Sequence, residues 1–450
     1  MKVVKFGGSS LADSRQIEKA CEIILADKER RLVVVSAPGK RTKGDTKMTD
    51  LLIEMAEKHF RGENAKKELN LIIERFDGII KGLGLSSDVT DMIVNDLNGR
   101  LDMSLDNKEK FFDTIKAAGE DNNAKIVAAY LAQRGVDAVY VDPREAGLLL
   151  NNEYGNARLL PESYGRLRLL KKKNGIMIFP GFFGYSKEGD VVTFSRGGSD
   201  ITGSILAAAI KADLYENFTD VDSVYAADPS IVENPTPISA FTYREMRELS
   251  YAGFSILHEE TLEPVYRMGI PVCIKNTNNP AAPGTVIAPT RELNNGPVIG
   301  IASGLGFCSI YVSKYMMNRE VGFGRKILAI LEDEGLSYEH IPSGIDNVSI
   351  ILGQRQFDEG KEKRVVGRIK EELGVDDILV ERDRALVMIV GEGMMSTVGI
   401  TARAAKALSQ AKVNIEMINQ GSSEVSMMFG IKEKDNSTAI KALYNEFFRN

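Results

Sequence analysis

The chain has 450 residues, 43% hydrophobic and 27% charged, enough apolar material for ordinary cores in roughly two to four domains. Its formal net charge of −6 offers no global attraction to nucleic acid or anionic lipid, and no apolar run is long enough to span a bilayer. Cys21, Cys273 and Cys308 are far apart without C-x-x-C spacing, and the N-terminus lacks the basic, apolar and small-residue succession of a signal peptide. A zinc site and a disulfide framework are therefore not indicated, and a cytoplasmic protein is expected.

The first element, KVVKFGG, reads as a strand ending in glycines. A helix follows, with apolar residues at Ile17, Ala20, Cys21 and Ile24. RLVVVSAPG is a continuous β-branched run, as in a strand buried on both faces. Helix AKIVAAYLAQRG, strand DAVYVD, helix ESYGRLRLLKKKNG and strand IMIFPGFFG come next. GDVVTFSRGGSD leads into helix ITGSILAAAIKA, and LYENFTD reads as another strand. Strands alternating with helices predict an α/β fold with a largely parallel sheet sandwiched by helices. The rhythm lasts to about Val286, and APTRELNNGP, residues 288–297, reads as a linker.

Beyond the linker the pattern becomes βαββαβ, written twice. FCSIYVSKYM, GFGRKILAILEDEG, LSYEHIPSG with DNVSIILG, EGKEKRVVGRIKEELG and DDILVERD form one α+β unit. RALVMIVG, TVGITARAAKALSQAK, VNIEMINQ, EVSMMFGIK and NSTAIKALYNEFF form a second that lacks its last strand. A spare strand, PVIGIASG, precedes the first copy. Residues 298–303 are expected to fill the vacant position, so that the two modules interlock.

Four stretches carry candidate chemistry. In KFGGSS, a strand breaking into Gly7, Gly8 and Ser9 leaves backbone N–H groups open to phosphate oxygens, with Lys5 as a fixed charge. A tight strand-to-helix turn with a solvated Lys5 accounts for the same residues. FSRGGSD repeats the glycine corner with Arg196, Ser199 and Asp200; arginine suits a carboxylate, while Asp200 alone reads as a helix cap. The two corners are expected at the carboxyl ends of parallel strands, sharing one crevice. VVVSAPGKRTKGDTKMTDLL places Ser36 at a strand end, and Thr49 or Asp50 opens the next helix. FTDVDSVYAADP sets Thr219, Asp220, Asp222 and Asp228 on one loop, where an ordinary acidic loop competes with a metal site. Of the three histidines, His59 and His258 read as structural, which disfavours histidine base catalysis and suits phosphoryl transfer to an ionised carboxylate.

VVKFGGSS, VVVSAPG with MTDLL, PGFFG, FSRGGSD, FTDVDSVYAADP and PVYRMGIPVCIKN, in that order, resemble the aspartate kinase family of the amino-acid kinase fold. The duplicated modules resemble its ferredoxin-like ACT domains, and PSGIDNVSIIL its effector-binding stretch. The resemblance spans the chain and implies a monofunctional enzyme with a kinase domain at 1–290 and modules at 298–380 and 381–450. It implies ATP with Mg²⁺ and no metal held by protein side chains alone. Lys5 and Asp200 would be catalytic. Lys5, Gly7, Gly8, Ser9, Thr219, Asp220, Tyr225 and Lys275 would bind ATP. Ser36, Thr49, Glu120, Phe182, Arg196 and Ser199 would bind L-aspartate, with Glu120 on its ammonium. Ser230 stands where the family commonly has an arginine, so a cation is missing there. The product would be 4-phospho-L-aspartate, the first intermediate towards lysine, threonine and methionine.

Met317, Phe323, Ser337, Glu339, Ser343 and Asp346 match or neighbour the family's effector positions, although Met317 and Phe323 read equally well as core. Lysine is the first expectation for the feedback effector and threonine the second. Pairing of ACT modules would give a homodimer or tetramer. Two other readings compete: another kinase of the fold, acting on glutamate, N-acetylglutamate, carbamate or a nucleotide, and a catalytically inactive amino-acid sensor.

Overall fold

The computed structural model describes residues 1–195, 197–254, 259–292, 296–421 and 425–449. Its chain divides into two compact units. One holds Met1–Val224, Ile238–Tyr243 and the chain up to Arg291; the other holds Tyr225–Pro237, the helical stretch from Arg244 and the chain from Glu292 onward.

Val3, Val4 and Phe6 are buried because their strand, Lys2–Phe6, runs through the middle of an eight-stranded sheet. The strand order is Ala240–Thr242, Thr285–Ala288, Val272–Asn276, Leu214–Thr219, Lys2–Phe6, Arg30–Val35, Ile176–Pro180 and Ala138–Tyr140. Neighbours from Val272–Asn276 to Ala138–Tyr140 are all parallel. Thr285–Ala288 is antiparallel to Val272–Asn276. Parallel strands need crossovers and are covered on both faces, which is why they read as unbroken apolar runs.

Between the second and third strands in sequence lies a helical layer: Met48–Phe60, Lys66–Gly82, Ser87–Leu101 and Lys108–Gln133. In Lys66–Gly82 the buried Ile72, Phe76, Ile79 and Ile80 mark one helical stripe. The last helix begins at Lys108, well before the expected start at Ala124, with the Asn107 side chain accepting from the Lys110 N–H at 3.0 Å. Asp113, Glu120, Asp121, Asn122 and Asn123 are buried within it, so its apolar period is masked by polar residues that face inward.

The second unit centres on a five-stranded sheet ordered Asn347–Gly353, Gly300–Ser313, Asp377–Val390, Ser426–Lys432 and Met417–Asn419, antiparallel throughout. Two of these strands are 14 residues long and serve both modules. Residues 309–313 pair with 377–381, and residues 300–304 pair with 386–390 beside Ser426–Lys432. The register shifts between Gly304 and Ser309, and Gly306 (φ 77°) and Asp383 (φ 55°) occupy the left-handed region there, as bulged residues do. Where the sequence reads as four separate strands there are two continuous ones. Helices Phe323–Asp333 and Glu359–Leu373 bury Ile327, Ile330, Val365 and Ile369 against Ile310, Val312, Ile350 and Leu352. Parts of the expected 1–290 domain group with this unit: the Ile301 N–H donates to the Ala226 carbonyl at 2.7 Å, and Ser426 Oγ donates to Glu248 at 2.8 Å. No helix among the described residues is long and apolar enough to cross a membrane.

Candidate active site

Four parallel strands end on one edge of the large sheet, and their last residues open into the corners singled out above: Phe6 into Gly7, Val35 into Ser36, Pro180 into Gly181, and Thr219 into Asp220. The corners are knitted through backbone. The Gly7 N–H donates to the Phe218 carbonyl at 3.0 Å, and the Gly39 N–H to the Gly8 carbonyl at 2.8 Å. A Cβ on Gly39 would lie 2.7 Å from the Ser9 nitrogen, so only glycine permits this approach. Gly7 thus spends its N–H on the fold, and the open donors of the corner are those of Gly8 and Ser9.

Lys5 and Asn217 are lateral partners on adjacent strands and therefore share a face. Lys5 is 7% exposed and Asn217 3%. Lys5 Nζ lies 2.6 Å from Asp200 Oδ1, so Lys5 is not solvated and Asp200, in the first turn of helix Gly198–Ile210, does not act as a cap. Asn217 Nδ2 donates to the same Asp200 oxygen at 2.7 Å, and Lys5 Nζ stands 3.5 Å from Asn217 Oδ1. The second Gly-Gly corner follows strand Val191–Thr193, which pairs antiparallel with Phe183–Tyr185 in a separate hairpin and not in the main sheet. Helix Gly198–Ile210 nevertheless carries Asp200 to Lys5.

Glu120 is 6% exposed, and its Oε2 has no hydrogen-bond partner. Burial pushes its carboxyl up to about 8, against the opposing pull of the Ala37 and Glu120 backbone N–H groups, the Ser199 hydroxyl and the Lys5 ammonium. Asn123 Nδ2 donates to the Ser36 carbonyl at 2.7 Å, tying the same helix to the strand end. A Cβ on Gly181 would meet Ser199 Oγ at 2.6 Å. Phe182 adopts φ 75°, rare for a bulky residue, and is held there by its N–H donating to Thr202 Oγ1 at 3.1 Å.

The structure thus brings together Lys5, Gly7, Gly8, Ser36, Glu120, Phe182, Ser199 and Asp200. Ser9 sits on the same corner. Thr49 is half-buried at the start of helix Met48–Phe60, whose first N–H donates to the Pro38 carbonyl at 3.4 Å. Thr219 ends its strand and donates through Oγ1 to Asp220 at 3.2 Å. Tyr225 is half-buried at the end of strand Val224–Tyr225. Lys275 is not brought to Lys5: it pairs with Phe218 and so faces the opposite side of the sheet. Arg196 and His258 lie outside the described residues. Among the described residues no three His, Cys, Asp or Glu side chains converge as a metal cage. Sequence reading missed Asn217, which has no local signal because it acts on a neighbour distant in sequence; Gly39 closes the VVVSAPG block, but its approach to Gly8 and Ser9 shows only in the fold.

In the second unit Met317 and Phe323 are buried in the first module's core. Ser337 is exposed and exchanges hydrogen bonds with Gln356, 3.0 Å from its N–H and 2.7 Å to its carbonyl. Glu339 accepts from the Tyr251 hydroxyl. Asp346 Oδ1 accepts from the Met316 N–H at 2.8 Å, and Ser343 is exposed, bridged to Val348.

Residues 1–276 match the model of the amino acid kinase family, and residues 387–447 that of the ACT domain. The chain is 59% identical over 448 residues to aspartokinase 3 of Bacillus subtilis, covering 100% of this chain and 99% of that one. It is similar to the crystal structure of Clostridium acetobutylicum aspartate kinase, with TM-score 0.89, 41% identity and coverage of 99% and 100%. It is also similar to E. coli aspartokinase III in complex with aspartate and ADP, with TM-score 0.80, 25% identity and full coverage of both chains.

Proposed function

Because this chain belongs to the amino acid kinase family and is an aspartate kinase, we propose that it transfers the γ-phosphoryl group of ATP to the β-carboxylate of L-aspartate. A carboxylate oxygen attacks the γ-phosphorus, the bond to the bridging oxygen breaks, and 4-phospho-L-aspartate and ADP result. The acceptor is already ionised, so no base is required. The chemistry is positioning and charge stabilisation. Lys5 meets the charge on the transferring group, with the Gly8 and Ser9 N–H groups as fixed dipoles. Glu120 takes the substrate ammonium, while Ser36, Thr49, Phe182, Ser199 and Arg196 form the rest of the aspartate pocket. Thr219, Asp220 and Tyr225 hold the nucleotide. Mg²⁺ enters as part of the nucleotide substrate, bound to phosphate oxygens and water, as this ion usually is.

The observation that carries this reading is the pair of buried Lys5 and half-buried Asp200, 2.6 Å apart, at the joint edge of the strands. Lys5→Ala should lower turnover by orders of magnitude in an aspartate-dependent ADP-release assay while the fold persists; near-normal turnover would end the assignment. Arg196→Ala should weaken aspartate affinity most, and a loss confined to ATP affinity would place Arg196 elsewhere.

The reaction would open lysine, threonine and methionine synthesis in the cytoplasm. The ACT modules, at 298–380 and 381–450, would hold the end product, lysine first and threonine second. Glu339 and Asp346 offer carboxylates to its ammonium groups, and bound effector would favour a less active arrangement. Modules of this type would pair between subunits in a homodimer or tetramer. Titration calorimetry should show lysine binding with inhibition; no heat with either amino acid would remove the regulatory assignment.

A further inference from the structure

Asp200 is gripped at two points by alternate residues of one strand. Tyr215 Oη donates to the Asp200 carbonyl at 3.2 Å, and Asn217 Nδ2 to its carboxylate at 2.7 Å. Residues two apart on a strand share a face, and Lys5 joins that face from the adjoining strand. Lys5, Asp200 and Asn217 close a triangle with sides of 2.6, 2.7 and 3.5 Å. Its charges also settle which way the amide points: Oδ1 must face the ammonium and Nδ2 the carboxylate.

We propose that Asn217 is a positioning residue for phosphoryl transfer, its amide fixing the Lys5 ammonium and the Asp200 carboxylate in one arrangement. The physical case is the mismatch between a flexible lysine stem and a reaction that tolerates little displacement. Lys5 has several rotatable bonds, and Asp200 Oδ1 alone would tether its ammonium at a single point. With its amide on the third side, Asn217 accepts from the ammonium and donates to the tether, so neither group moves without losing a bond. No ligand needs to touch Asn217, which is buried. The inference rests on Lys5 acting on the transferring phosphoryl group, as read above.

The test is a double-mutant cycle on the full chain. Asn217→Leu keeps the branching and heavy-atom count of the side chain and removes the amide. It should lower kcat about 10- to 100-fold, the penalty of a misplaced reacting group, with KM for aspartate and ATP changing less than about 3-fold. In a Lys5→Ala background, with residual turnover followed by labelled ADP release, Asn217→Leu should cost less than about 2-fold, because nothing remains to be positioned. Equal losses in both backgrounds, a loss in KM instead of kcat, or wild-type turnover would overturn the proposal. If the leucine variant does not fold, Asn217→Ser is read by the same comparison. Wild-type turnover in Lys5→Ala would instead bring down the role of Lys5 itself, so the two failures are distinct.

Discussion

Glu120 is a carboxyl that burial keeps protonated to about pH 8, in a pocket whose expected ligand carries an ammonium. The sign of the effect follows from linkage. Below about pH 4.5, its ordinary value, folded and unfolded chains both hold the proton and no penalty exists. As pH rises the unfolded carboxyl ionises first while the folded one keeps its proton, so stability falls from there until about pH 8. Glu120→Gln has no such proton. Wild type should therefore lose stability relative to this variant by at most about 1.4 kcal/mol per pH unit across that window, measured as urea midpoints at pH 5, 7 and 9. A difference that does not change with pH would refute the protonated state. An arriving ammonium favours the carboxylate, so aspartate binding at pH 7 should release a proton, seen calorimetrically in buffers of different ionisation heat and absent in Glu120→Gln.

Helix Gly198–Ile210 reaches Lys5 only because it lies close on strand Leu214–Thr219, and Gly203 sets that distance. A Cβ there would stand 2.5 Å from Tyr215 Oη and 2.7 Å from two carbons of the ring. Gly203→Ala must lift the helix or rotate Tyr215, losing the bond that holds the Asp200 carbonyl. Overpacking of this kind costs about 1–3 kcal/mol, and both Tm and kcat should fall together; a variant with wild-type Tm and kcat would show that the spacing is slack. This element also marks how far the sequence is legible. The corners at residues 7–9 and 197–200 are readable because glycine pairs after apolar runs are locally distinctive. Asn217 is not, because LYENFTD looks like any strand until its neighbour is known. The helix Lys108–Gln133 is readable only from Ala124, where polar residues stop facing inward. Gly304 and Gly306 look like a turn between strands, whereas the ladder on both sides makes them a bulge within one.

The C-terminal unit behaves, on this account, as one cooperative body and not as two modules in tandem. Strands Gly300–Ser313 and Asp377–Val390 each contribute one half to either module, so removing either strand takes a sheet position from both. The fit is tight where the spare strand enters: a Cβ on Gly391 would lie 2.9 Å from Val298 Cα. Ile301 and Ile310 are buried on the same strand, one in each half. The chain contains no tryptophan, so a single introduced indole reports its own surroundings alone. Tyr311→Trp, half-buried, would report the first half and Ile418→Trp, 47% exposed, the second. Both should give the same urea midpoint, and adding Ile301→Ala should lower the two by the same amount, equivalent to about 2–5 kcal/mol for a buried isoleucine. Separate midpoints, or a shift felt only by the Ile418→Trp reporter, would mean that the bulge at Gly306 uncouples the halves. A shared midpoint would mean that strain at either half is transmitted along continuous backbone to the other. A ligand bound to one module would then stabilise both.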